Sequence, residues 1–130
     1  MGRLRRDFID RTDAFADRIL DVVNAIRRRD CPAFVRDQLG RSGTSVGSNA
    51  SEADEAITVP EFRHRLGVSL REMGEAKYWL RMVARRQWVK AKRLAPLQDE
   101  AEQITRILAA IITKSDPGAP VPRPGTNEPD

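Results

Sequence analysis

Cysteine and histidine are almost absent from this 130-residue sequence, which contains one of each. The single cysteine, Cys31, excludes an intrachain disulfide and is typical of a reducing compartment. The single histidine, His64, excludes a di-iron bundle site within one chain, because that site needs two Glu-x-x-His motifs. No apolar run reaches the length of a membrane span, and the N-terminal residues lack an apolar signal core. We therefore expect a cytoplasmic protein with no membrane contact, no metal and no cofactor.

Aromatic residues are also few, at 5% of the sequence, whereas charged residues reach 32%. The formal net charge is +4 and the pI is about 9.8. Of the 23 basic residues, 19 are arginine. The planar guanidinium group pairs well with phosphates and carboxylates, so the positions of the arginines indicate where a charged partner would bind.

Four segments carry apolar residues at the spacing of amphipathic helices. The first predicted helix spans roughly Arg3–Arg29. The second begins after Asp30, which we expect to be its N-cap, with Pro32 in the first turn. Its seam contains many small residues and comprises Val35, Leu39, Gly43, Val46, Ala50, Ala53 and Ile57. Three glycines share one face of this helix, so we expect another backbone to approach closely there.

A capping box of Thr58 and Glu61 predicts the start of the third helix, with a hydrophobic staple between Ile57 and Phe62. The third helix has a heptad seam made of Phe62, Leu66, Ser69, Met73, Ala76, Leu80 and Val83. The fourth helix repeats this pattern at Leu94, Leu97, Ala101, Ile104, Leu108 and Ile111. Because a proline inside a helix can kink it, we expect Pro96 to lie within the first two turns of the fourth helix.

Four helices joined by short links predict an all-α fold, an antiparallel up-down-up-down four-helix bundle over residues 1–114. Residues 115–130 contain five prolines and almost no apolar side chains, and this composition predicts a disordered Pro-rich C-terminal tail. The antiparallel topology places the link between helices 1 and 2 at the same end of the bundle as the link between helices 3 and 4.

Basic residues concentrate at that shared end, which we call the basic pole. Its candidate nucleic-acid-binding residues are Arg27, Arg28, Arg29, Arg81, Arg85, Arg86, Lys90, Lys92 and Arg93. Trp88 lies among them and could stack on an exposed base. The sequence leaves three interpretations open. The charge could bind phosphates, it could bind an acidic protein partner, or it could only complement helix dipoles and favour solubility.

A stripe of polar residues runs along the second helix and continues on the third. It comprises Ser45, Asn49, Glu52, Ser69 and Glu72. We interpret it as a structural hydrogen-bond network that fixes helix register or belongs to a subunit interface. A small-molecule or metal pocket is the alternative, but no strong base, nucleophile or soft metal ligand joins the stripe. The sequence therefore predicts no enzyme.

Several apolar residues lie beside the predicted core seams and widen the apolar arc of each helix. They are Ile9, Val23, Tyr78, Trp79, Ile107 and Ile112. A wide apolar arc indicates either a second buried face, and hence oligomerisation, or simply a broad intramolecular core.

The pattern across the second and third helices resembles a known family. Its residues are Gln38-Leu39, Arg41-Ser42, Ser45-Val46, Asn49, Glu52, Phe62, Leu66, Ser69-Leu70, Glu72 and Tyr78-Trp79-Leu80. This pattern resembles the four-helix bundle proteins of the 23S rRNA intervening-sequence family, over roughly residues 7–114.

The resemblance implies a homo-oligomer, a ring-like pentamer of bundles. It also implies a relation to the accessory variability proteins of diversity-generating retroelements, which are basic bacterial pentamers that partner a reverse transcriptase and its RNA. Taken with the basic pole, it favours a non-catalytic oligomer that binds structured RNA or DNA as an accessory to a reverse transcriptase or another nucleic-acid enzyme. The alternative function is a protein–protein interaction scaffold whose basic pole meets an acidic partner.

Overall fold

Four long helices account for most of residues 2–116, which are the residues that the computed structural model describes. The helices are α1 (Arg6–Ala25), α2 (Ala33–Asp54), α3 (Val59–Arg85) and α4 (Ala91–Lys114). A short 3-10 turn, Arg28–Asp30, lies between α1 and α2, and no strand occurs within the described range. The predicted all-α four-helix fold is confirmed. The predicted disordered tail falls almost wholly on residues 117–130, outside the described range.

Each helix packs mainly against the helix next to it in the chain. The α2–α3 interface is the most extensive, those of α1 with α2 and of α3 with α4 are smaller, and α1 touches α4 over a short stretch. These four interfaces close a ring of neighbours, as expected for an up-down-up-down bundle.

The predicted seams form the core, with one exception. Ile57, the last predicted seam residue of the second helix, lies beyond the end of α2 and is exposed. The largest fully buried side chains come from all four helices and include Phe15, Ile19, Leu39, Leu66, Met73, Leu80, Ile104 and Leu108. All seven seam residues of α3 are buried. On α4 the seam turns slightly, because Ile107 is buried whereas Ile111 is only half-buried.

Helix α1 is shorter than the predicted Arg3–Arg29 at both ends. Its start is delayed because the preceding residues bind the end of α2. The Arg3 amide donates to the Asp54 carbonyl at 3.2 Å, and the Leu4 amide donates to the Asp54 carboxylate at 2.6 Å. Its C-terminal turn unwinds at Ile26, whose buried side chain closes the core at that end.

The expected N-cap of α2 is also wrong. Asp30 lies in the 3-10 turn, and Pro32 occupies the cap position with φ −58° and ψ 140°. A proline disfavours the helical region for the residue before it, so Cys31 is extended and α2 cannot begin earlier.

The capping box of α3 forms, but the staple does not. Thr58 Oγ1 accepts from the Glu61 amide at 3.2 Å, and Glu61 Oε1 accepts from the Ile57 amide at 3.1 Å. The Ile57 side chain is 86% exposed. Arg3 takes its place, because its guanidinium lies 5.8 Å from the Phe62 ring centroid and donates to the Ile57 carbonyl.

The small-residue face of α2 receives α1. A Cβ added to Gly47 would lie 3.3 Å from Thr12 Oγ1 and 3.4 Å from the Thr12 carbonyl oxygen. The expected close approach is therefore present. Within residues 2–116, no helix combines the length and apolar character that a membrane crossing requires.

Candidate functional site

All nine predicted nucleic-acid-binding residues are exposed and lie in the two links at one end of the bundle or in the helix turns beside them. Arg27–Arg29 lie in the link between α1 and α2. Arg81 and Arg85 lie near the end of α3, and Arg86 is its C-cap. Lys90 is the N-cap of α4, and the next two basic residues, Lys92 and Arg93, lie in its first turn.

The link between α1 and α2 is held by one arginine and two buried side chains. Arg36 Nη1 donates to the Cys31 carbonyl at 2.6 Å and to the Arg28 carbonyl at 3.2 Å. Ile26 and Cys31 are buried on either side of the 3-10 turn. The backbone between these anchors is fixed, so the three arginine side chains project from a defined surface.

A Schellman motif closes α3 and brings the remaining basic residues together. The Trp88 amide donates to the Val83 carbonyl and the Gln87 amide donates to the Ala84 carbonyl, both at 3.1 Å. Gln87 has a φ of 59°, the left-handed conformation that this motif requires. Val89 is buried just beyond it. The turn places the end of α3 beside the start of α4.

Few carboxylates offset this charge. Among the described residues, Asp30 is the acidic side chain paired with the nine, at 3.8 Å from Arg27 Nε and 3.9 Å from Arg29 Nε. These distances exceed those of a direct hydrogen bond. Elsewhere arginines have closer partners, such as Arg11 with Glu100 at 2.8 Å. The basic pole is thus a surface of largely uncompensated positive charge.

Helix dipoles account for only part of this charge. Cations are favoured at the C-terminus of a helix and disfavoured in its first turn. Arg85 follows that rule on α3, whereas Lys92 and Arg93 occupy the first turn of α4, which contains no acidic residue. The arginines after α1 lie beyond its last turn. Lys90, Lys92 and Arg93 at the start of α4 therefore have no explanation in helix stability.

A cleft of about 630 Å³ opens at the basic pole, between the link from α1 to α2 and the last turns of α3. Phe34, Tyr78, Trp79 and Trp88 supply its aromatic walls, and Arg29 and Arg86 border it. We call it the aromatic cleft.

The aromatic rings of the cleft have defined positions. The Phe34 and Trp79 centroids are 6.2 Å apart at an interplanar angle of 79°, and those of Tyr78 and Trp79 are 4.9 Å apart at 73°. Trp79 Nε1 donates to Glu75 Oε2 at 3.1 Å, which fixes its indole ring. The Arg81 guanidinium lies 5.7 Å from the Tyr78 centroid.

The sequence identified this cleft only in part. Trp88, the expected stacking residue, is half-buried against the core, and the Arg86 guanidinium lies 5.5 Å from its centroid. Phe34 was not singled out, although it is 61% exposed. In the sequence, Tyr78 and Trp79 belong to a wide apolar arc and to the family pattern, and neither feature predicts a cleft. Their proximity to Phe34 arises from the α2–α3 packing, which no local pattern reveals.

The other residues of that apolar arc differ in exposure. Ile107 is buried in the core, and Ile9, Val23 and Ile112 are half-buried.

The predicted polar stripe divides into separate contacts. Ser69 Oγ donates to the Val46 carbonyl across the α2–α3 interface at 2.7 Å. Asn49 Nδ2 donates to the Ser45 carbonyl within α2 at 2.9 Å.

Two surface ion pairs complete the stripe. Arg65 pairs with Glu52 at 3.3 Å, and Arg41 pairs with Glu72 at 3.3 Å. Both link α2 to α3. Within residues 2–116, no buried side-chain nitrogen or oxygen lacks a hydrogen-bond partner, and no cluster of three potential metal ligands occurs. The contacts of Ser69, Glu52 and Glu72 cross between α2 and α3 and so fix helix register.

The family model of the 23S rRNA-intervening sequence protein matches residues 7–110. The chain belongs to this family. This intervening-sequence family protein is also similar to a solved structure, that of a Bacteroides thetaiotaomicron protein from the S23 ribosomal protein family. The two are 27% identical with a TM-score of 0.75, and the match covers 81% of this chain and 97% of that one. No curated protein matches the sequence. The basic pole and the aromatic cleft lie within the part of the chain that the family model matches.

Proposed function

We propose that this chain is a non-catalytic binding protein that holds structured RNA or DNA through the basic pole. The observation behind the proposal is the pair Lys92 and Arg93 in the first turn of α4, together with a neighbouring Lys90 at the N-cap. Among residues 2–116, none of the three has an ion-pair partner, and the helix dipole disfavours them all. Cations that lower helix stability are explained if a bound ligand requires them. The phosphate backbone of a nucleic acid is such a ligand, because it carries closely spaced negative charges.

The arrangement suits a phosphate backbone more than a single anion. The basic residues come from the two links at the bundle end and from the adjoining turns of α3 and α4, so they cover a surface and not a pocket. They are long, exposed side chains that neutralise charge without reading base sequence. We therefore expect sequence-tolerant binding whose strength depends on salt.

We further propose that the chain acts as a homo-oligomer in the cytoplasm, with the pentameric ring that the family resemblance implies. Ile9, Val23 and Ile112 pack against the edge of the core and are only half-buried, so part of each side chain is left for a second buried face. In a ring, the basic pole is repeated, and several weak phosphate contacts act together as one strong one. Such a protein would serve as an accessory that presents nucleic acid to a reverse transcriptase or another enzyme.

The test is binding of the purified protein to a labelled RNA hairpin and to duplex DNA across a salt series, with light scattering to record the assembly state. We expect the logarithm of the association constant to fall linearly with the logarithm of salt concentration, with a slope of about −3 to −5. Unrelated sequences should bind with similar strength. Failure to bind either nucleic acid at low salt would overturn the proposal and direct the search to an acidic protein partner.

A further inference from the structure

The aromatic cleft differs in chemistry from the rest of the basic pole. Phe34 is 61% exposed and Tyr78 is 43% exposed, although the chain has few aromatic residues. Large apolar side chains left in water give up the free energy that their burial would contribute. Both rings meet Trp79 nearly at a right angle. A perpendicular pair covers at most one face of each ring, and more than half of the Phe34 side chain is open to a ligand.

The cleft is also organised in advance of any ligand. Trp79 is oriented by its hydrogen bond to Glu75, which in turn pairs with Arg41 at 2.9 Å. This chain of contacts crosses from α3 to α2 and fixes the floor on which the exposed rings rest. A rigid aromatic surface loses little entropy when a planar group stacks on it.

Positive charge borders the same cleft. Arg29 lies on one side, in the 3-10 turn, and Arg86 lies on the other, at the end of α3. Asp30, the one carboxylate of the lining, is shared between Arg27 and Arg29. A ligand that presents a flat apolar face between two anionic groups matches this arrangement.

We infer that the aromatic cleft binds one unpaired nucleotide of a structured RNA, with its base stacked on Phe34 and Tyr78 and its flanking phosphates on Arg29 and Arg86. The inference rests on the proposed function, because the basic pole supplies the general affinity for RNA. A volume of about 630 Å³ lies within the range of small-ligand pockets and admits a single nucleotide. Only an unpaired base can enter, since bases within a duplex do not expose their faces.

The experiment compares two short RNA hairpins, one fully paired and one with a single bulged nucleotide. The bulged nucleotide carries the fluorescent base 2-aminopurine. Wild-type protein should bind the bulged hairpin about 5- to 100-fold more tightly than the fully paired one, the range expected for stacking of one base. Stacking should also quench the 2-aminopurine fluorescence, a signal that phosphate contact alone does not produce.

The decisive variant is the double substitution Phe34→Ala and Tyr78→Ala. It should lose both the preference for the bulge and the quenching, while its affinity for the paired hairpin stays unchanged. The matched control is Leu20→Ala with Ile57→Ala, two exposed apolar residues outside the cleft. Light scattering and circular dichroism check that both variants keep the wild-type assembly and fold.

The two proposals fail in different ways. If wild type binds both hairpins equally and with salt dependence, the nucleotide cleft is overturned and the proposed function stands. If the double variant keeps the bulge preference, the exposed rings do not stack on RNA and the nucleotide cleft is overturned. If neither hairpin binds at low salt, both proposals are overturned.

Discussion

Gly43 of α2 lies directly against the Ile19 side chain of α1. A Cβ added to Gly43 would be 2.6 Å from both Ile19 Cγ1 and Cγ2, closer than real side chains approach. Ile19 itself is fully buried. The absence of a side chain at Gly43 thus sets the distance between the two helices.

Gly43→Ala should destabilise the fold, although alanine favours helix by about 1 kcal/mol over glycine. Overpacking a filled core costs about 1–3 kcal/mol and should exceed that gain. Urea unfolding followed by circular dichroism gives the change in unfolding free energy. The control is Gly74→Ala on α3, where an added Cβ meets nothing within 4 Å, and it should raise stability. Equal stabilisation by both substitutions would show that α1 adapts freely at this contact.

Arg11 and Glu100 join α1 to α4, the bundle's least extensive interface. Arg11 Nε and Nη2 donate to the two carboxylate oxygens at 2.9 and 2.8 Å, and the side chains are 29% and 19% exposed. The hydrogen bond to Glu100 raises the pKa of Arg11, because it stabilises the charged guanidinium.

Arg11→Met should lower the unfolding free energy by about 1–3 kcal/mol, because it leaves a partly buried carboxylate without its partner. Arg6→Met removes an ion pair whose side chains are 88% and 62% exposed, and its effect should stay within about 0.5 kcal/mol. A thermal denaturation series compares the two. Similar small losses for both would mean that the Arg11 contact does not hold α1 to α4.

Cys31 is 4% exposed, and burial raises the pKa of its thiol, with the charge of Arg36 opposing the shift. Iodoacetamide at neutral pH should therefore label folded protein far more slowly than urea-unfolded protein. A Cys31→Ala chain with Ser48→Cys, which places the thiol at an exposed position of α2, is the fast-reacting control. Rapid labelling of native Cys31 would contradict its structural role.

The same thiol gives stability a defined pH dependence. The folded chain holds this proton more tightly than the unfolded chain, in which the pKa is about 9.0. Its contribution to stability is therefore constant well below pH 9 and is lost as the pH rises through 9 toward the higher folded value. Cys31→Ala should flatten that part of the stability–pH curve, which urea titrations at increasing pH would record.

Lys92 offers a way to separate binding from stability. Lys92→Glu places an acidic residue in the first turn of α4 and should raise the unfolding free energy by about 0.3–1 kcal/mol. The same change should weaken RNA binding. Thermal melting and RNA titration on one preparation measure both effects. A loss of stability would indicate that Lys92 has a structural partner and would weaken the case for the pole as a ligand surface.

The helices and their buried seams could be predicted because periodicity is local. On α3, every residue from Phe62 to Val83 that the heptad pattern selected is buried. The ends were less predictable, since they depend on tertiary contacts. Arg3, and not Ile57, packs over the Phe62 ring. The Asp54 carboxylate accepts a hydrogen bond from the Leu4 amide just before α1. Neither contact can be predicted from the local sequence.

The basic pole followed from topology and charge, which the sequence carries directly. The aromatic cleft did not, because Phe34 and Trp79 are 45 positions apart and meet only through the α2–α3 interface. Trp88 lies within a run of basic residues in the sequence, yet the Schellman turn at the end of α3 packs it against the core. The order of residues in the sequence therefore predicts where the basic residues lie, but it does not predict which aromatic rings form the cleft.

The most direct test of the account uses two variants of equal charge. One reverses four basic-pole residues, with Arg85→Glu, Arg86→Glu, Lys92→Glu and Arg93→Glu. The other reverses four exposed arginines outside the pole, Arg6→Glu, Arg18→Glu, Arg71→Glu and Arg106→Glu. Four reversals remove eight positive units, so each variant has a formal net charge of −4 in place of +4.

The measurement is the dissociation constant of each variant for one RNA hairpin at one fixed salt concentration, with the assembly state checked by light scattering. The pole variant should lose binding, while the control should retain most of the wild-type affinity because its pole is intact. Equal loss in both would show that RNA responds only to net charge. That result would contradict a binding surface at the basic pole.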